Sequence, residues 1–395
     1  MAPITDREVL TGGNAISAMV VISSALVLVA LPFFMVGGLA VQIKAELELS
    51  EASLGAAVTI GFLSGAFTAP FGGRIADRVG PRRAVYIGCS IATTALLSLG
   101  LFTTGWSTLV GFLCLGGIGV ALTDPGLAIL VGVTVPGQRQ GLAFGVKEAS
   151  IPAATLVAGL AVPTIALTVG WRWAFLIAVL PLALVLVLLP RLQTQMQSQE
   201  TIETELHEPA TPPPKRRALL LAATAAALGT TAASGVGIFL TDSAVAMGMT
   251  PGNAGLLLAT GSLAGIVTRV ATGALADRTG GPQFGLIASM LAVGAVTMSL
   301  GGTGNTLLLI LGTIGAFTGG WAWTGIYFLS LVKTFPDRPG TVAGIGTAGL
   351  GVGNAAGPVL FGLAAGAWSF GAAWVGAGVI AALAALLMVN ARRRF

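Results

Sequence analysis

The chain reads as twelve apolar runs separated by short charged or Gly/Pro-rich intervals. The runs fall at approximately 16–42, 53–75, 84–104, 108–132, 142–168, 173–190, 218–240, 252–274, 284–301, 306–330, 341–364 and 371–390. A helix of about 20 residues, rising 1.5 Å per residue, crosses about 30 Å of hydrocarbon. Each run therefore predicts one membrane-spanning helix. The longest polar interval, 191–217, carries Pro212-Pro213-Pro214 and then Lys215-Arg216-Arg217. It predicts a linker between two six-span units, 1–190 and 218–395. The expected fold class is an all-α integral membrane protein of twelve transmembrane helices in two pseudo-symmetric six-helix bundles.

Composition sharpens this picture. Of the 395 residues, 55% are hydrophobic and 9% charged, against about 25% charged in soluble proteins. The segment before the first run, Met1 to Gly13, is polar and leads into a full-length span, so no cleavable signal is expected. Sixteen of the 20 Lys and Arg residues fall at the termini, in the linker or in the loops on that same side, and Lys44 and Arg172 fall on the other. Retention of positive charge by cytoplasmic loops makes that side cytoplasmic and explains the net charge of +5 without nucleic acid. Cys89 and Cys114 lie within spans and read as packing residues. His207, the single histidine, sits in the linker among Glu203, Glu205 and Glu208. No metal, cofactor or His-based catalysis is expected.

The runs repeat. Gly73-Arg74-Ile75-Ala76-Asp77-Arg78-Val79-Gly80-Pro81-Arg82-Arg83 returns 200 positions later as Gly273-Ala274-Leu275-Ala276-Asp277-Arg278-Thr279-Gly280. Gly141-Leu142-Ala143-Phe144-Gly145 likewise returns 199 positions later at Gly340. Parallel halves of this kind place a solute site near the midplane between them. The first stretch resembles the signature loop between spans two and three of the major facilitator superfamily, and the second its weaker copy. The resemblance implies that this loop is a conformational latch. Gly73, Asp77, Arg78, Gly80, Arg82 and Arg83 would form it, with Asp277 and Arg278 in the copy, and Asp77 would bind near the start of the eleventh span. Two features typical of relatives are missing, an acid at the end of the fourth span, where Val133-Thr134-Val135 stands, and a fourth-span arginine near Leu113.

Charges inside spans are costly, at least about 2.5 kcal/mol each at the bilayer centre, and point to function. Four fall there: Asp124, Lys147, Glu148 and Arg269. Asp124 and Lys147 stand at similar depth in neighbouring antiparallel spans. One reading has Lys147 facing a central cavity as the counter-charge of an anionic solute, with Glu148 or Asp124 taking a proton; the other has an Asp124–Lys147 pair joining two spans. Positions 147 and 148 point about 100° apart on a helix, so both cannot face one cavity equally. The eleventh-span counterparts, Gly346 and Thr347, are uncharged, which favours a site over repeated scaffold. Arg269, five residues before the second loop, is expected to snorkel to the interface. Phe34, Trp321, Trp323, Tyr327 and Asn354 are candidates for the cavity wall, with core packing as the alternative. Gly145-Val146-Lys147-Glu148-Ala149-Ser150-Ile151-Pro152 resembles the fifth span of a cyanate-permease-like bacterial branch of the superfamily, which implies a small or anionic solute.

These readings converge on a monomeric secondary transporter of a bacterial inner membrane, multi-pass with both termini cytoplasmic. It would move a small, anionic solute by alternating access, with protons as the candidate coupling ion. No G-x-x-x-x-G-K-[ST] loop is present for ATP. A multidrug/proton antiporter of the same fold is the alternative. An enzyme is disfavoured, because no nucleophile and base pair can be assembled.

Overall fold

In the computed structural model of the protein, the described residues are 12–135, 139–192, 216–335 and 339–395. Among the described residues, twelve helices are long and apolar enough to cross a membrane: Ile16–Gly38, Glu51–Ala76, Pro81–Phe102, Trp106–Leu127, Gln140–Ala166, Trp171–Leu188, Arg217–Ala246, Pro251–Thr279, Phe284–Gly301, Thr306–Thr334, Gly344–Ala367 and Phe370–Arg392. The linker between the sixth and seventh spans lies mostly outside the described residues. The spans end where the chain stops favouring helix. Ser50, Thr250 and Ser369 cap the second, eighth and twelfth spans by accepting a backbone N–H three residues on. Gly80 and Gly280 take positive φ, 85° and 80°, at the matching turns after the second and eighth spans.

Three of the twelve runs differ from expectation. The seventh span continues to Ala246, which brings Asp242 inside it. Its charge broke the apolar run, but Asp242 is buried beside Lys44 and the helix continues past it. The tenth span is interrupted by a π-helical turn, Ala316–Trp321, and a second such turn occupies Val162–Ala166 of the fifth.

The two most extensive junctions between the first six spans and the last six are the fifth with the eighth and the second with the eleventh. Small residues let these backbones touch. Eighteen residues are five turns of helix, so positions 18 apart project from one side. In the eighth span Gly255 and Gly273 are such a pair, as are Gly159 and Gly141 in the fifth. A Cβ on Gly255 would stand 2.6 Å from the Gly159 carbonyl, and one on Gly273 would collide with the Gly141 carbonyl. The fifth and eighth spans are therefore closed on each other at both ends. In the second span the corresponding pair is Gly55 and Gly73. A Cβ on Gly55 would collide with the Pro358 carbonyl, and Thr59 donates to the Ala355 carbonyl at 2.6 Å. Gly73 has nothing within 4 Å of that position, and neither does Gly344 of the eleventh span. Among the described residues, the second and eleventh spans thus meet at the face bearing Lys44 and Arg172 and part toward the Arg-rich face. Phe67 and Phe71, on the parting segment, are 75% and 59% exposed.

Candidate functional site

The fifth span carries the site because its two adjacent charged residues point different ways. Lys147 Nζ lies 3.0 Å from Asp124 Oδ1 on the fourth span and 3.3 Å from Glu148 Oε1. Glu148 turns instead toward the last six spans. Its Oε2 accepts a hydrogen bond from Thr324 Oγ1 at 3.3 Å and lies 3.7 Å from Arg269 Nη1. Lys147, Glu148 and Arg269 are all nine-tenths or more buried, whereas the Asp124 side chain is one-third exposed. The Asp124–Lys147 pair of the sequence reading therefore forms, and it belongs to a larger cluster.

Arg269 does not snorkel. It is 2% exposed, and its guanidinium is held by two backbone carbonyls, that of Glu148, which accepts from Nη1, and that of Trp321, which accepts from Nη2 at 2.9 Å. The expectation failed because five residues below the interface is within reach of headgroups only if nothing nearer competes. Here a buried carboxylate and two carbonyls do. The π-helical turn that ends at Trp321 helps to present one of those acceptors, a common use of such turns at functional sites. The guanidinium carbon lies 5.8 Å from the centre of the Trp321 ring, whose other neighbours are Phe34 at 5.6 Å and Phe317 at 5.4 Å between centroids. Phe34 and Trp321 therefore join the charged cluster. Trp323 donates to the Gly320 carbonyl at 2.8 Å and packs edge-on to Tyr327. Both are fully buried in the core of the last six spans, and the Tyr327 hydroxyl has no hydrogen-bond partner among the described residues. Asn354 is half-buried on the eleventh span and is not among the cluster's contacts.

Asp277 accepts from the backbone N–H groups of Gly141 at 2.7 Å and Leu142 at 2.8 Å. These are unpaired donors of the first turn of the fifth span, where the helix dipole favours an anion. Arg278 ends the eighth span. In the first copy a Cβ on Gly73 would meet nothing within 4 Å, Arg78 lies in the last turn of the second helix, Gly80 makes the turn, and Arg82 and Arg83 open the third span. The Asp77 side chain lies outside the described residues. In the reduced second copy, Asp277 thus ties the end of the eighth span to the start of the fifth.

Sequence reasoning missed Asp242, which Lys44 approaches to 2.6 Å from the short helix Ala40–Leu47. The signal that could have found it is its spacing of 26 residues from Arg216, within reach of one span.

A sequence profile of the Major Facilitator Superfamily matches residues 22–281, most of the chain. The chain belongs to the Major Facilitator Superfamily. Among relatives, it is similar to the MFS-type transporter EfpA of Mycobacterium tuberculosis, 31% identical over 42% of this chain and 31% of that one. It is also similar to the gentisate transporter of Corynebacterium glutamicum, 30% identical over 35% and 31% of the two chains. The transporter YycB of Bacillus subtilis is 26% identical over 43% and 42%. The match thus spans about a third of the first two relatives and less than half of the third. Twelve candidate spans and this family make the chain a multi-pass membrane protein.

Proposed function

We propose that this major facilitator moves a small organic anion across a bacterial inner membrane, together with a proton, at the Asp124–Lys147–Glu148–Arg269 cluster. The observation that carries this reading is the position of Glu148, a buried carboxylate of the fifth span facing cations of the fifth and eighth. Two acids and two bases leave the cluster formally neutral. An anion entering a neutral, buried cluster adds an uncompensated charge, which is costly at low dielectric. A proton on Glu148 restores the balance and leaves Arg269 free to pair with the solute. Phe34 and Trp321 supply an apolar wall beside the guanidinium.

Positive charge retained inside makes the Arg-rich face cytoplasmic. The parting of the second and eleventh spans is then an inward opening, with the two six-span halves hinged along the fifth and eighth. The gentisate transporter's name and the cyanate-permease-like fifth span both support an anionic solute. Uptake of small aromatic and aliphatic carboxylates into proteoliposomes, with a pH-sensing dye inside, tests the proposal. Solute-driven acidification of the lumen is expected from one such anion. Proton movement driven by cationic drugs, with every anion inert, would overturn it in favour of export.

A further inference from the structure

A second charged cluster bridges the two sets of spans at the face opposite the arginines, and the solute site does not use it. Lys44 donates to Glu51 Oε1 at 2.7 Å and lies 2.6 Å from Asp242 Oδ2. Glu51 opens the second span and Asp242 stands near the end of the seventh. The Lys44 and Asp242 side chains are only 13% and 9% exposed. Around them this face is shut. Thr241 donates to the Gly37 carbonyl at 2.9 Å, and a Cβ on Gly362 would stand 2.6 Å from the Glu51 carbonyl.

Two carboxylates share one ammonium, and they belong to different halves of the chain. Lys44 and Glu51 are seven residues apart and move together. Asp242 belongs to the last six spans. Opening this face must separate Lys44 from Asp242 while Lys44 keeps Glu51. The closed cluster carries one surplus negative charge in a poorly solvated place, and a proton cancels it. Which carboxylate takes the proton decides the outcome. On Asp242 it removes the pair between halves; on Glu51 it leaves Lys44 wholly to Asp242 and tightens the closure. The charged groups facing Asp242 are Lys44 and Glu51. Elsewhere on the short helix, Glu46 is engaged by Arg172 and Trp171.

We propose that Lys44 and Asp242 are the charge lock of this face, and that Asp242 is a proton-binding residue, separate from Glu148, whose protonation from that side opens it. The inference requires alternating access and no particular solute. It assigns the cycle a second proton site.

The test is the rate at which a membrane-impermeant methanethiosulfonate, added on this face, modifies a cysteine placed at Ala355. That residue is 4% exposed and its carbonyl accepts from Thr59. The background has Cys89→Ala and Cys114→Ala, and rates are normalised to Trp368→Cys, at a site 79% exposed. Acidification from about pH 7.5 to about pH 5.5 should speed modification of the parent, and Asp242→Asn should raise it at neutral pH by about fivefold or more and abolish the acid dependence. Glu51→Gln should slow it. Lys44→Asp combined with Asp242→Lys should return the rate to the parent value, which separates loss of the lock from misfolding. Parental rates in Asp242→Asn, or equal acceleration by Asp242→Asn and Glu51→Gln, would overturn the proposal.

Discussion

Glu148 of the fifth span and Arg269 of the eighth join the two sets of six spans within the membrane, with Nη1 3.7 Å from Oε2 and also bonded to the Glu148 carbonyl. Each satisfies a charge that the other's half could not leave unpaired. On the proposed alternating access this contact crosses between the moving halves, so whatever loosens it also frees the motion.

Removing one member of a buried pair costs about 3–5 kcal/mol, because the partner is left charged and unsolvated. Arg269→Met should therefore lower thermal stability of the purified protein strongly. Arg269→Met with Glu148→Gln should recover part of the loss. A double variant less stable than Arg269→Met would show that the two side chains do not compensate each other.

Lys147 faces both acids of its own half, so its loss leaves Asp124 and Glu148 without their nearest cation. Lys147→Ala is expected to abolish anion uptake in proteoliposomes while Lys147→Arg retains a measurable rate. Unchanged uptake in Lys147→Ala would remove Lys147 from the solute site.

The glycines of the two loops should respond differently to the same change. Gly273→Val forces a branched side chain into the Gly141 carbonyl and is expected to cost stability and transport together. Gly73→Val meets open space, so stability should change by less than about 0.5 kcal/mol. Transport should still fall, because the repeat requires the second and eleventh spans to close at Gly73 as the eighth and fifth do at Gly273. Normal transport in Gly73→Val would show that this flank never closes so tightly.

At the opposite face, Glu46 accepts from Trp171 Nε1 at 2.5 Å and from Arg172. Partial burial pushes its carboxyl up, but the Trp171 and Arg172 hydrogen bonds and the Arg172 charge outweigh that and hold it below the ordinary 4.5. A lowered carboxyl value stabilises the fold above pH 4.5 and loses that contribution as pH falls through the lowered value. Glu46→Gln should thus be less stable than the parent at neutral pH, and the gap should close as pH falls through the lowered value. A gap that persists under acid would mean the contact is not ionic.

The twelve spans and the repeat were legible because membrane crossing imposes a length and hydropathy that single residues cannot disguise. Asp124, Lys147 and Glu148 were legible for the complementary reason, since charge in an apolar run is conspicuous. Arg269 was seen but misplaced, because the carbonyls of Glu148 and Trp321 that hold it come from other spans and leave no local trace. Asp242 was missed because hydropathy alone ends a span at a charge, whereas the Lys44 contact that keeps it buried spans 198 positions of sequence. Which flank is parted depends on contacts of near-identical glycines, and the repeat makes the two flanks look alike.

The most direct measurement of the central claim is proton uptake by the purified transporter, in weak buffer, as a transported anion is added. The account predicts about one proton taken up per anion bound, with Glu148→Gln binding the anion and taking up none. Anion binding by the parent with no proton uptake would contradict it.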